Sequence, residues 1–116
     1  MKRIAILFVL ALSSMTAFAE KLSSTNDPTY QVKTFLTLAH SPENSDGRRL
    51  VEGVVIGIIA EGSWNSTVCT HKTRFSTVLE HEVAVMDSTI DNGTDDGKTD
   101  WRILLPILIE RDYSCK

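Results

Sequence analysis

A few short stretches of this 116-residue chain bring together residue types able to do chemistry. His81-Glu82 opens the H-E-x-x-H pattern, in which two imidazoles one helical turn apart hold a catalytic zinc, but the second histidine position is Val85. Cys69-Thr70-His71 sets a sulfur beside an imidazole, yet no further ligand pair at zinc spacing follows it. The run from Asp87 to Asp100 holds Asp87, Asp91, Asp95, Asp96 and Asp100 against Lys98, which invites a calcium reading. Aligning Gly97 with the glycine of an EF-hand loop puts Asn92 first, Thr94 third and Asp96 fifth. The twelfth place, where calcium needs a bidentate glutamate, is then Ile103. No metal and no cofactor is expected from these patterns.

Catalysis by side chains alone finds no better support. Glu80 and Glu82, and Asp95 and Asp96, are paired in sequence, but near neighbours do not flank a substrate as a general acid and base must. There is no nucleophile elbow, phosphate-cradling glycine loop or dinucleotide fingerprint. The chain is therefore not expected to be an enzyme. What remains is the acidic run as a surface. Gly93 and Gly97 permit a tight protruding turn, and the aspartates supply acceptors and a negative field that would speed encounter with a positive rim. Asp91, Asn92, Gly93, Thr94, Asp95 and Asp96 are the candidate binding residues. The plainer reading of the same residues is a solvated connector between two helices.

The elements that must carry this loop begin after an address. Lys2 and Arg3, the apolar run Ile4 to Leu12 and the small-x-small site Ala17-Phe18-Ala19 have the form of a secretory signal peptide over residues 1–19, cleaved after Ala19. Removing it takes away two of the 12 basic residues and none of the 15 acidic ones, so the mature chain carries a net charge of −5 with histidine neutral. That balance argues against nucleic acid as a partner. No later apolar stretch approaches the roughly 20 residues a spanning helix needs, so no membrane association is expected after cleavage. Residues 20–116 suffice for one core and form a single domain.

Cys69 and Cys115 would thus reach an oxidising compartment, where an intramolecular disulfide is the default. An intermolecular bridge or two free thiols are the alternatives. An intramolecular bridge would stabilise the fold by roughly 4 kcal/mol through loop closure.

Helical periodicity dominates the rest. Asp27-Pro28 caps and starts a first helix in which Val32, Phe35, Leu36 and Ala39 recur at helical spacing, and it stops before Pro42. RRLVEGVVIGIIAEG, ending at Gly62, is apolar almost all round and long for a strand, so it reads as a second helix. Gly53 and Gly57 then share one face and allow another backbone close. Phe75, Val78, Leu79, Val83 and Met86 mark a third helix, expected to end where the acidic loop begins at Asp87. Trp101, Leu104, Leu105 and Leu108 mark a fourth, capped by Thr99 or Asp100 and interrupted by Pro106. The expected fold is all-α, a small bundle of four to five helices with one intramolecular disulfide. The second helix is apolar on more faces than so small a bundle can cover, which points to a homodimer.

The order of these features resembles a known family. A signal peptide, a short aromatic-bearing first helix, the glycine-bearing segment EGVVIGIIAEG, a cysteine soon after it and the terminal Tyr113-Ser114-Cys115 are similar to the Rap/Tai immunity proteins of bacterial type VI secretion. The resemblance implies a small periplasmic helical protein, commonly dimeric, that inhibits a peptidoglycan amidase delivered by neighbouring cells and so prevents self-intoxication. It implies that Cys69 and Cys115 are the family's disulfide pair. It also puts the Asp87 to Asp100 loop where an amidase-blocking protrusion would lie, with Asp91 to Asp96 as toxin-binding residues. The rival is an Hde-type periplasmic acid-stress chaperone, also small, exported, helical and disulfide-bonded. Those proteins carry a cysteine near the first mature helix, and this chain has none there.

Overall fold

The structure, a computed structural model, describes residues 24–115. The expected signal peptide and its cleavage site lie outside the described residues. Four α-helices make up the fold: α1 (Val32–Ala39), α2 (Asp46–Trp64), α3 (Phe75–Asp91) and α4 (Trp101–Asp112). One turn of 3-10 helix, Pro28–Tyr30, precedes them. Among the described residues there is no strand, only isolated bridges pairing Ser24 with Thr99, Gln31 with Asp100 and Val68 with Ser114. No helix among the described residues is long and apolar enough to cross a membrane. The all-α expectation holds.

Each helix turns its apolar stripe inward. Val32, Phe35, Leu36 and Ala39 of α1 are all buried, as the i, i+3, i+4, i+7 spacing requires. From α2, Val51, Val55, Ile59 and Gly62 are buried, and Val54 and Ile58 pack half-buried against the core beside them. Val78, Leu79, Val83 and Met86 of α3 and Leu105, Leu108 and Ile109 of α4 complete it, joined by Val68 from the connection between α2 and α3. Ser45 caps α2 by accepting from the Arg48 amide, and Asp100 caps α4 by accepting from the Arg102 amide. The α4 helix continues through Pro106, whose missing N–H leaves the Arg102 carbonyl without its usual helical donor.

Three boundaries differ from the sequence reading, each for a local reason. Asp27 does cap the turn at Pro28, but the chain is extended at Gln31 before α1 begins. Gln31 pairs there with Asp100, and the next amide, Val32, donates to the Thr99 carbonyl at 2.8 Å. Helix α2 runs past Gly62 to Trp64, with Asn65 as its cap. Gly62 serves instead as a contact point: its carbonyl accepts from both Thr67 and Val68, and a Cβ there would overlap the Val68 side chain. Helix α3 runs on to Asp91, because Ile90 continues the Val83 and Met86 stripe and packs against the core. The acidic loop is therefore shorter than expected, with Asp87 and Asp91 both on the helix.

Cys69 and Cys115 are bonded, with Cα atoms 4.8 Å apart. Beside them the Cys69 amide donates to the Tyr113 carbonyl at 2.7 Å. The α2–α3 connection is thereby stitched to the end of α4.

Candidate functional site

The acidic loop is anchored at both ends. Asn92 caps α3, and its side-chain oxygen accepts from the Thr94 amide and hydroxyl at 3.1 and 2.6 Å. Gly93 and Gly97 take φ values of +80° and +83°, a region that favours glycine. Beyond the turn the backbone docks onto the segment ahead of α1: Lys33 donates to the Gly97 carbonyl and Thr25 to the Lys98 carbonyl. Asp91, Asn92, Gly93, Thr94 and Asp96 sit together at the surface. Asp95, the other candidate binding residue, is turned inward and only 8% exposed. Its amide donates to the Thr89 carbonyl, and its Oδ1 accepts from Gly97 at 2.7 Å. Asp95 shapes the turn, and Asp91 and Asp96 supply its outward charge.

Asp100 closes the base of this structure. Its carboxylate takes two hydrogen bonds from the Arg102 guanidinium, at 3.1 and 2.7 Å, and Arg102 in turn lies 3.5 Å above the Tyr30 ring. Those bonds hold the Asp100 carboxyl below its ordinary range despite its burial. Trp101 donates from its indole N–H to the Thr29 carbonyl and packs against Phe35 and Tyr30. Everything beneath the tip is thus held by hydrogen bonds or aromatic contacts.

A second group of titratable residues joins His81 and Glu82, neighbours in sequence, to Asp112 from the end of α4. Glu82 occupies a core position of α3 with 0% exposure, and neither carboxyl oxygen has a hydrogen-bond partner. His81 Nε2 lies 4.0 Å from Glu82 Oε1 and 3.2 Å from Asp112 Oδ2. Arg111 grips Asp112 from its Nε and an Nη atom, at 2.8 and 3.1 Å, and the Tyr113 ring stands edge-on to the imidazole. Burial pushes the Glu82 carboxyl up to about 8, with neighbouring Asp112 adding to the rise and the Arg111 charge opposing it. For Asp112, burial also acts upward, but Arg111, Glu82 and His81 together hold its carboxyl below the usual range. Two ionised carboxylates can only accept, so a proton or a cation must stand between them for Glu82 to be satisfied, and a proton there makes a hydrogen bond from Glu82 to Asp112. The signal was present in the sequence: Glu82 fills the +7 slot of the stripe that starts at Phe75.

The outer side of α2 is a third feature. Leu50, Gly53, Gly57, Ala60 and Trp64 are all exposed, with Leu50 at 61% and Trp64 at 89%, and they recur at alternating intervals of three and four. Among the described residues, nothing outside the local backbone of α2 lies within 4 Å of where a Cβ on Gly53 or Gly57 would stand. His40 pairs with Asp87 at 2.8 Å and ties the end of α1 to α3.

Comparison with family models, with curated proteins and with solved structures finds no match to this chain.

Proposed function

We propose that the protein is a periplasmic immunity protein of the Rap/Tai kind, which binds the cognate peptidoglycan amidase of a type VI secretion system and covers its active site. The observation that carries this reading is the acidic tip: Asp91 exposed at the end of α3 and Asp96 exposed on the turn that follows, whose far end is fixed by the Gly97 to Asp100 docking strip. A pre-ordered protrusion loses little conformational freedom on entering a cleft, so more of its contact energy appears as affinity. The outward carboxylates steer it toward a positive rim. Inhibition is by occlusion, and this chain makes and breaks no bonds.

The active species is a homodimer whose contact is the exposed Leu50, Gly53, Gly57, Ala60 and Trp64 stripe of α2. A three-four repeat of small and apolar residues suits close packing of two helices. The Cys69–Cys115 bond fits the oxidising periplasm in which such a protein works.

The test is to replace Asp91 and Asp96 by Lys, confirm unchanged helicity and disulfide, and measure inhibition of the amidase encoded beside this protein at low and moderate salt. Association is expected to slow by about tenfold at low salt and less at moderate salt. Full protection by this variant, and by one whose tip is rebuilt from glycine and serine, would remove the loop from the interface. An adjacent gene encoding no peptidoglycan hydrolase would remove the function itself.

A further inference from the structure

We infer that His81, Glu82 and Asp112 form a binding site for one divalent transition-metal ion, of the zinc type, where α3 meets the C-terminal end of α4. The donor atoms already converge: one from each residue, and all within 4.8 Å of one another. His81 Nε2 and Asp112 Oδ2 stand 3.2 Å apart, close to the roughly 3.3 Å between ligands of a tetrahedral zinc with bonds near 2.0 Å. The Glu82 oxygen lies 4.0 Å from the same imidazole nitrogen and must close in by a side-chain rotation for all three to share one ion.

The second observation is Glu82 itself. A fully buried carboxyl with neither oxygen bonded is an uncommon and costly feature, and this one faces another carboxylate. Arg111 does not relieve it, because its guanidinium hydrogen bonds go to Asp112. A cation between the two acids would take the place of the proton through which Glu82 otherwise bonds Asp112. Asp112 can serve both neighbours, since a carboxylate offers about four lone-pair positions and Arg111 uses two.

The donor set selects the ion. One imidazole nitrogen with two carboxylate oxygens suits zinc, manganese, iron or cobalt better than calcium or magnesium, which prefer oxygen alone. Three protein ligands leave a coordination position open. The His81 side chain is 50% exposed, so water can reach the site. The arrangement is unrelated to the failed H-E-x-x-H pattern, because its third ligand comes from α4. It makes a second clamp between α3 and the end of α4, next to the disulfide that holds the same end.

The experiment uses the oxidised protein stripped with a chelator. Titration with zinc chloride, followed by calorimetry, should show one saturable site per chain and a thermal midpoint that rises with zinc concentration. Cobalt should give the visible absorption of a low-symmetry site. His81→Ala removes a half-exposed ligand without disturbing the core, and should weaken zinc binding by more than about tenfold. Glu82→Gln, which keeps shape and loses charge, should do the same and abolish the cobalt spectrum. Absence of saturable binding by the parent protein would overturn the proposal and leave a proton shared by Glu82 and Asp112. Equal binding by the parent and His81→Ala would also overturn it, placing the ion elsewhere.

Discussion

Gly62 and Asp100 matter for opposite reasons, one for what it lacks and the other for the charge it carries. A Cβ on Gly62 would occupy space held by Val68, whose backbone is fixed by the Gly62 carbonyl and by its bridge to Ser114. In an ordinary helix Gly→Ala stabilises by about 1 kcal/mol. Here Gly62→Ala is expected to destabilise by about 1–3 kcal/mol, read as a lower denaturation midpoint with unchanged slope. Asp100 gives a pH signature. Its folded-state carboxyl sits below the ordinary range because Arg102 holds it, so its contribution is present at neutral pH and is lost as pH falls through and below that range. Asp100→Asn keeps the cap on the Arg102 amide and removes the charge. The variant should therefore show a shallower loss of stability between about pH 5 and pH 2 than the parent. Asp100→Ala loses the cap as well, for about 1 kcal/mol more at neutral pH.

Among the elements, α2 carries the sharpest prediction, because the same substitution has opposite signs under two readings. Among the described residues, no other element meets Gly53 or Gly57. If that face only meets water, Gly53→Ala and Gly57→Ala each stabilise by roughly 0.5–1 kcal/mol and leave mass unchanged. If a second copy packs there, the added methyl groups hold the helices apart and dimers dissociate more readily while the monomer gains stability. The expected outcome is the second one, seen as a fall in mass by light scattering at micromolar concentration together with a higher unfolding midpoint in dilute solution. The loop after α3 follows a related logic. Asp91 to Thr94 and Asp96 are exposed there, whereas Asp95 is turned inward and Gly97 to Asp100 is committed to the strip ahead of α1.

For the whole molecule, the disulfide joins residues 46 apart in sequence and closes a loop that contains all of α3 and all of α4. Replacing both cysteines by Ala should cost roughly 4 kcal/mol on the chain-entropy model, a large share of the stability of a domain this size. Loss should be greatest at the α4 end, where Cys69 and Val68 pair with Tyr113 and Ser114. Hydrogen exchange of those amides should rise before that of Val55 or Leu79 in the core. Equal acceleration everywhere would show that the bridge acts only through the unfolded chain.

Helix number, helix type and most of the core were legible in the sequence, because 3.6-residue periodicity is a local property that each segment carries alone. Val32, Phe35, Leu36 and Ala39 needed no knowledge of the rest of the chain to be placed inward. The chain's two cysteines likewise implied one another. What lay between segments was not legible. Nothing near Gln31 indicates that its backbone will leave the helix to meet Asp100, since that pairing spans most of the domain. Asp95 and Asp96 are chemically identical neighbours, and only the fold turns one inward and the other out. Glu82 could be seen as an acid on an apolar stripe, but its nearness to His81 and Asp112 depends on how α3 and α4 cross. Sequence periodicity determines which face of a helix is buried. Tertiary packing alone decides what that face meets, because contacts between distant segments depend on the relative position of whole helices, which no single stretch of sequence encodes.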